Sequence, residues 1–407
     1  MICPIRCGTF TVFNYSYCAL PYQNWLLFQL AFPPLIPPQI LVVLSSKLYN
    51  LIRVSNNSNL RLLRRGITIL LLMLLPAWIT AQTVTGTVFD ENKQPLPGAS
   101  VYLDGTSTGT VTAEDGTFRL EIEKRINTVL VFSFIGYQTE MVAGPFENRR
   151  YQVHLKPRTD VLKEVVISKG GFTRKQMMSI FLEEFLGRSH SGKSCRIVNP
   201  DEINLRYDYQ KNCVIANSDV PLIIENPHLG YEIDFNLIEC QIAFSSKSVS
   251  RRDVLSNAFS GTTVFKEMPD PDNVFEKRRQ QVFHGSQTEF FRNLINGVWG
   301  KEQFQLFKGS HQTAAEEWFS VDYDNGYYVV KVHNTEMAVK RQTLEPKIFY
   351  APFNLLYSKK RQSGVIFKTQ TFKVDSFGNT NAPMDIVFTG EIARLRAGDL
   401  LPIDYTP

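Results

Sequence analysis

The fold is decided by residues 86–122, GTVFDENKQPLPGASVYLDGTSTGTVTAEDGTFRLEI. Residues 95–98 and 114–116 are turn signals, because Pro fixes φ and Gly permits a positive φ. Residues 99–103 are typical of a strand, and in residues 118–122 apolar side chains alternate with charged ones, the period of a half-buried strand. The stretch therefore predicts short strands joined by tight turns.

The same pattern continues on both sides of this stretch. Residues 84–89 are a predicted strand, residues 129–135 are an apolar run typical of a central strand, and Tyr151, Val153 and Leu155 alternate again. Six or seven closely spaced strands within residues 82–158 predict a β-sandwich.

Residues 86–122, followed by VLVFSFIGYQTEMV at residues 129–142, closely resemble the carboxypeptidase-regulatory-like domain. The resemblance implies a transthyretin-like sandwich, which occurs beside metallocarboxypeptidase domains and at the N-terminus of bacterial TonB-dependent outer-membrane receptors. Residues 162–168, LKEVVIS, also resemble the receptor segment in which a TonB-contacting stretch lies. The alternative for this segment is an ordinary edge strand or linker. The resemblance implies these candidate partner-binding residues: Leu162, Glu164, Val165 and Val166.

The positive charge of the chain lies in its first part. Of the 44 Lys and Arg residues, six fall in residues 1–81, which contain no Asp or Glu. The other 38 Lys and Arg residues and all 39 Asp and Glu residues lie in residues 82–407, which therefore carry a net charge of −1. The formal charge of +5 therefore gives no support for a broad nucleic-acid-binding surface. The composition also excludes a disordered chain, a collagen and a disulfide-dense miniprotein.

Residues 60–81 have the pattern of a secretory signal peptide. Three arginines precede an apolar stretch at residues 67–79, and cleavage is predicted between Ala81 and Gln82. A membrane anchor is the alternative. The anchor is disfavoured because a span needs about 17–25 apolar residues and Pro76 interrupts this stretch.

Residues 1–59 do not fit an exported protein, since they place a second apolar run and three cysteines before the signal. They are predicted to be over-called translation, and a real N-terminal membrane segment is the alternative. The predicted organisation is then a signal peptide at 60–81, a sandwich at 82–158, a linker at 159–172 and one further domain at 173–407.

Residues 173–407 are predicted to be a β-rich α+β domain, so the fold class is mainly β with some α. Thr173 is a predicted N-cap and Gly187 a predicted helix stop. A second helix is predicted to begin with a capping box at residues 286–289 and to end at Gly297. The predicted strands are residues 205–209, 231–242, 318–333 with a turn at 324–326, 365–374 and 386–392.

This second region is too short for the plug and the barrel of about 22 strands of a TonB-dependent receptor. Four of its segments also resemble exported bacterial proteins that carry a carboxypeptidase-regulatory-like domain. That resemblance implies architecture and location, but no activity. The segments are residues 185–200, 221–235, 277–294 and 400–407.

Two catalytic patterns in the chain are predicted to be loops. Residues 187–194, GRSHSGKS, match the nucleotide-binding P-loop, and residues 105–109, GTSTG, match the nucleophile elbow of hydrolases. Each motif needs a strand before it and a helix after it. A predicted helix instead precedes Gly187, and strand-forming residues follow Gly109.

His333 and Glu336 match the H-x-x-E zinc pair of metallocarboxypeptidases. A catalytic zinc needs a third protein ligand, and no His follows His333 to supply it in the order of that family. No catalytic residue, cofactor or metal is therefore predicted. His154 is predicted to face solvent, and the sequence leaves open whether other polar residues meet in space: His228, His284 and Glu225.

Three further groups have structural explanations that we prefer to functional ones. Residues 277–279, KRR, are a predicted solvated helix face. Cys195, Cys213 and Cys240 are predicted to be buried thiols, or one bridge and one thiol. Aromatic residues of the second region are predicted to be mainly core, with a sugar- or peptide-binding surface as the alternative. These are Tyr207, Tyr209, Trp299, Trp318, Phe319, Tyr327 and Tyr328.

The sequence thus predicts an exported, non-enzymatic binding or assembly module of the periplasm or outer membrane. Its partner would be another envelope protein, or a carbohydrate or peptide ligand, and not nucleic acid. One alternative is a periplasmic hydrolase that uses the second region. The other is an accessory to TonB-linked transport, with residues 162–168 as the docking strand for a TonB-type partner.

Overall fold

A computed structural model describes residues 82–123, 126–145, 150–158, 171–333 and 349–407. Strands dominate these ranges and helices are few, which confirms the predicted fold class, mainly β with some α. The predicted signal peptide and residues 162–168 lie outside the described residues.

The first seven strands form two facing sheets, in agreement with the predicted sandwich. Strands β1 to β7 are Gln82–Phe89, Ser100–Leu103, Gly109–Val111, Thr117–Ile122, Val129–Ser133, Glu140–Ala143 and Arg150–His154. In one sheet β1 pairs antiparallel with β4 and parallel with β7. The other sheet has the order β3-β2-β5-β6.

The sandwich core fills the space between these sheets. Along β4 the buried residues Phe118, Leu120 and Ile122 alternate with exposed ones, as the sequence period predicted. On the central strand β5, Leu130 and Phe132 are fully buried in the same core. The alternation of apolar and polar residues therefore directs the apolar side chains of both sheets into the core between them.

The second region begins with a helix packed on a six-stranded sheet. Helix α1 is Arg174–Leu186, and a short helix α2, His190–Ser194, follows it. Strands β8 to β13 are Arg196–Ile197, Ile203–Asp208, Cys213–Ser218, Leu222–Asn226, Tyr231–Phe244 and Val254–Glu267. Strands β12 and β13 form a long hairpin along one side of the sheet.

Helix α1 begins and ends as predicted. The Thr173 side chain caps its N-terminus in a capping box with Gln176, and Gly187 follows its last turn with φ of 95°. Phe181 and Phe185 are fully buried against the sheet. We call this assembly the α1 core.

A second hydrophobic core lies further along the chain. It contains helix α4, Gln287–Asn296, whereas the preceding helix α3, Phe275–Phe283, packs Val282 against the α1 core. Strands β14 to β21 are Phe304–Lys308, His311–Gln312, Phe319–Asp324, Tyr327–Val332, Ala351–Tyr357, Arg361–Phe367, Thr371–Val374 and Ile386–Gly390. They form sheets with the orders β15-β14-β18-β19-β21 and β16-β17-β20.

Phe290, Phe291 and Leu294 of α4 pack between these two sheets. Ser286 caps α4 and Gly297 ends it in the left-handed region, as predicted. The predicted capping box is incomplete, because the Glu289 side chain accepts the Gly285 N–H instead of the Ser286 N–H. We call this assembly the α4 core. Residues 173–407, predicted as one domain, therefore contain two separate hydrophobic cores.

Three local predictions were incomplete. The predicted strand at 365–374 is two strands, β19 and β20, which belong to different sheets. The predicted strand at 386–392 stops at Gly390 and continues as a 3-10 helix. Helix α3 was predicted only as a helix face at residues 277–279. Helix α2 and seven strands of the second region were not predicted: β8, β10, β11, β13, β14, β15 and β18.

The sandwich contacts strand β13 along the edge that does not pair with β12. The Gly105 N–H donates to the Thr263 carbonyl at 2.7 Å, and the Phe265 N–H donates to the Thr106 carbonyl at 2.9 Å. These bonds make the β2–β3 loop a short parallel extension of the six-stranded sheet. The G-x-S-x-G loop therefore links the sandwich to the second region through backbone hydrogen bonds.

The same contact buries apolar and polar side chains of the sandwich. Tyr102 and Val131 pack against Val264, and the Tyr102 hydroxyl lies 2.9 Å from Thr262 Oγ1. Asp104 is 1% exposed, and its Oδ1 accepts the Thr263 N–H at 2.7 Å. The sandwich is thus fixed on β13 by specific hydrogen bonds as well as by apolar burial.

We expect the stability of the protein to fall between pH 4 and 7 because of Asp104. Burial raises the pKa of this carboxyl to about 7, whereas an unfolded Asp titrates near about 3.9. Within this window the folded state keeps a proton that the unfolded state has lost, so stability is full below the window and declines as pH rises. The measurement is the free energy of unfolding in urea from pH 4.5 to 8, with Asp104→Asn as the comparison.

The Asp104→Asn variant should show a shallower pH dependence than the wild type and be the more stable of the two at pH 8. It keeps an oxygen that accepts the Thr263 N–H, so the difference reports the titration. Parallel curves for the two proteins would contradict the assignment.

Candidate functional site

A concave cleft with a volume of about 1370 Å³ lies between the α1 core and the α4 core. Its walls come from five stretches: residues 182–200, Arg251, residues 282–285, residues 357–363 and residues 390–399. A volume above the roughly 300–1,000 Å³ of small-molecule pockets suits an extended ligand.

The P-loop-like residues form one wall of this cleft, but their backbone is committed to packing. Helix α2 has only five residues, and Ser189 caps it while donating to Asp399 Oδ1 at 2.6 Å. Ser191 donates to the Gly398 carbonyl. An ideal Cβ on Gly192 would lie 2.4 Å from the Leu186 carbonyl oxygen. These residues therefore hold the chain near Gly398. The predicted loop was wrong for His190–Ser194, which form helix α2.

Residues 395–405, which we call the C-terminal segment, join all three cores. Ile403 donates its N–H to the Gly105 carbonyl of the sandwich at 2.8 Å. Tyr405 donates its hydroxyl to Glu276 of α3 at 2.8 Å, and Arg292 of α4 donates to the Tyr405 carbonyl. Leu400 packs against the α1 core. The segment thereby fixes one end of the cleft.

His284 and Glu289 form a hydrogen-bonded pair on the wall of the cleft. Glu289 is buried, and its Oε1 lies 3.0 Å from His284 Nδ1 and accepts the Tyr357 hydroxyl at 3.2 Å. The Gly285 N–H donates to its other oxygen. Burial, and then the nearby Glu289, raise the pKa of Tyr357 well above its usual range. The pair orients an imidazole that is half exposed to the cleft.

The structure gives separate partners to the polar residues whose proximity the sequence left open. His228 packs on His190 with ring centroids 4.5 Å apart, and Glu225 pairs with Arg196 at 2.9 Å. Burial, followed by His190, lowers the pKa of His228. They do not form a cluster with His284.

The H-x-x-E pair falls only partly in the described residues. His333 Nε2 lies 2.7 Å from Ser320 Oγ, and Glu336 lies outside them. Within the described ranges no group of three His, Cys, Asp or Glu side chains is arranged to hold a metal ion.

The three cysteines within the described residues, Cys195, Cys213 and Cys240, are free thiols. Cys213 and Cys240 are buried and Cys195 is partly buried. Burial, and then Asp399, raise the pKa of Cys195 to about 12. Of the two alternatives that the sequence left open, the structure has the one without a bridge.

The prediction of a solvated face at residues 277–279 was wrong for Arg279. Its guanidinium lies 3.9 Å from the centroid of the Tyr231 ring and donates to the carbonyls of Leu229 and Gly230. Lys277 remains exposed. Arg279 is buried because aromatic stacking and backbone acceptors replace its hydration.

The candidate aromatic residues do not form one surface. Phe319 is buried in the α4 core, with Trp299 and Trp318 packed against it. Tyr207 and Tyr209 pack on each other with ring centroids 4.8 Å apart. Tyr327 and Tyr328 lie partly buried on β17. His154 on β7 is exposed, as predicted.

No helix in the described part of the chain is long and apolar enough to cross a membrane. The predicted partner-binding residues Leu162, Glu164, Val165 and Val166 lie outside that part, as does Ala81. Gln82, on the other side of the predicted cleavage site, is the first residue of β1.

Residues 84–167 match the family model described as the CarboxypepD_reg-like domain, which confirms the resemblance of the first domain. The TonB-dependent receptor SusC of Bacteroides thetaiotaomicron is 38% identical over 97 residues, which are 24% of this chain and 9% of that protein. The TonB-dependent receptor P39 of Formosa agariphila is 36% identical over 108 residues, which are 25% of this chain and 10% of that protein.

A third relative, the TonB-dependent receptor P26 of the same Formosa species, is 41% identical over 96 residues, 23% of this chain and 9% of that protein. The matched region thus spans about a tenth of the length of these curated relatives.

Proposed function

We propose that this chain, with a CarboxypepD_reg-like domain at residues 84–167, is an exported binding or assembly module of the cell envelope and not an enzyme. The observation that carries the proposal is the similarity of this domain to part of several TonB-dependent receptors. These relatives are all TonB-dependent receptors, and from them we infer a transport-related role in the cell envelope.

The attachment of the sandwich to the second region supports an assembly role. The backbone bonds between Gly105 and Thr263 and between Ile403 and Gly105 hold the domain at a defined place. A domain fixed in this way presents one orientation of its remaining surface to a partner. The second region then supplies a separate binding surface, the cleft.

The alternative within transport is an accessory that contacts a TonB-type protein through residues 162–168. These residues follow the sandwich and fall at the end of the family match, which ends at residue 167. The segment contains the β-branched residues Val165, Val166 and Ile167, which favour strands, and such a sequence suits β-strand addition to a partner sheet.

In-cell photo-crosslinking of the full chain tests both forms of the proposal. A crosslinker at exposed positions of the sandwich, such as Gln152, should capture an envelope protein, and the processed N-terminus by mass spectrometry should be Gln82. If residues 162–168 form the contact, their deletion should abolish the crosslinks, whereas replacing Arg119 and Glu121 by Ala should not. An intact presequence, or crosslinks only to cytoplasmic proteins, would refute export.

The hydrolase alternative has one observation in its favour, the His284–Glu289 pair in the cleft. A carboxylate on Nδ1 leaves Nε2 available to accept a proton, which is how a general base is oriented. Turnover in a peptide and ester panel that is lost in His284→Asn would replace the binding proposal by this one.

A further inference from the structure

The charges that line the cleft are predominantly positive. Seven Arg and Lys side chains line it, against four Glu and Asp side chains. Two of the four carboxyls, Glu184 and Asp399, are buried, and burial raises the pKa of each. The accessible charge of the lining is therefore more positive than the residue count alone indicates.

Two cationic groups of the cleft have no carboxylate partner among the described residues, Lys193 and Arg361. Lys193 is exposed on α2. The Arg361 guanidinium lies 4.5 Å from the centroid of the Tyr357 ring, which fixes its plane without neutralising it. A fixed guanidinium without a partner is ready to form bidentate bonds with a carboxylate.

Three further cations of the cleft are only weakly neutralised, whereas Arg196 pairs with Glu225 and Arg396 is buried. Arg188 and Arg251 share Glu183 at 3.5 Å each. Arg394 is 74% exposed in its ion pair with Glu391, and such exposed pairs contribute little. An incoming anion can therefore compete for these groups at little cost.

The cleft offers carboxylate-binding groups and apolar contacts, but no aromatic platform. Tyr357 is buried with Arg361 over its ring, so no exposed Phe, Tyr or Trp ring among the described lining residues is available for stacking on a sugar or a nucleobase, and His284 is the exposed ring of the lining. Leu182, Val282 and Leu395 also line the walls. This combination suits a polypeptide whose acidic side chains alternate with apolar ones.

We propose that the cleft binds an acidic polypeptide segment, with Lys193, Arg361 and Arg394 contacting its carboxylates. The inference deepens the proposed function, on which it rests, by naming the chemistry of one partner. It needs neither residues 162–168 nor a TonB-type protein.

The test is the binding of fluorescein-labelled poly-L-glutamate to the full chain, followed by anisotropy at about 0.15 M salt, where long-range attraction is screened. Lys193→Glu combined with Arg394→Glu should weaken binding by about tenfold or more, which is about 1.4 kcal/mol. Lys301→Glu combined with Lys368→Glu changes the net charge equally at exposed sites outside the cleft lining, and it should leave binding unchanged.

Absence of binding, or equal weakening by both double variants, would overturn the proposal. Binding of polygalacturonate without binding of poly-L-glutamate would also overturn it, in favour of an acidic glycan. Urea unfolding of both variants checks that neither result comes from loss of the fold. Because the envelope crosslinks are measured separately, failure of this proposal is distinguishable from failure of the proposed function.

Discussion

Replacing Phe290 by Ala is expected to destabilise the α4 core by about 4 kcal/mol. Phe290 is fully buried, and its ring centroid lies 5.4–6.1 Å from those of four other aromatic residues. The substitution leaves a cavity that rigid neighbours on α4, in the loop after it and on the five-stranded sheet cannot fill. The partners are Phe291, Trp299, Phe304 and Phe388.

The measurement is urea unfolding followed by the fluorescence of Trp299 and Trp318, which both contact this core. Trp25 and Trp78 are replaced by Phe so that the signal reports the α4 core alone. Tyr323→Ala, which removes a ring that is 68% exposed, is the control and should change stability by less than about 0.5 kcal/mol. Equal effects of the two substitutions would show that Phe290 does not organise the core.

Replacing Gly398 by Ala is expected to cost about 3 kcal/mol, through a backbone clash and not through a cavity. An ideal Cβ at this position would lie 2.5 Å from the Gly192 Cα and 2.5 Å from the Leu186 carbonyl oxygen. Neither atom belongs to a side chain that can rotate away. The C-terminal segment would have to leave α1 and α2, which also breaks the bond from Asn226 Nδ2 to the Gly398 carbonyl at 3.0 Å.

Hydrogen exchange of residues 395–405, together with urea unfolding, measures this effect. Protection of the C-terminal segment should fall in Gly398→Ala and remain in Gly300→Ala, whose added Cβ would meet open space. Unchanged protection in Gly398→Ala would refute the close packing of α2 on the segment.

Local chemistry made part of the fold predictable from sequence. Thr173 and Gly187 mark the ends of α1 because capping depends on residues within one helical turn. The alternation in β4 depends only on which neighbouring side chains face the core. The family match at residues 84–167 and the sandwich rest on patterns of this short range.

Features that depend on distant residues were not predictable. Four polar residues, 368–371, separate the apolar residues of β19 from those of β20, but nothing in them specifies that the chain changes sheets there. Arg279 lies within a basic run, and its burial depends on Tyr231 and two backbone carbonyls about 50 residues away. The cleft is assembled from five separate stretches and therefore has no local signature.

The contacts of the sandwich also have a consequence for the order in which the protein can mature. Asn127 donates its N–H to Asp375, 248 residues further along the chain, and Gly105 accepts a bond from Ile403. Chains are made from the N-terminus, and domains fold as they are completed. The sandwich can form early, but its docking must wait for residues near 403. Until then its docking face stays open, so a chaperone that binds exposed apolar strands has a defined interval in which to act.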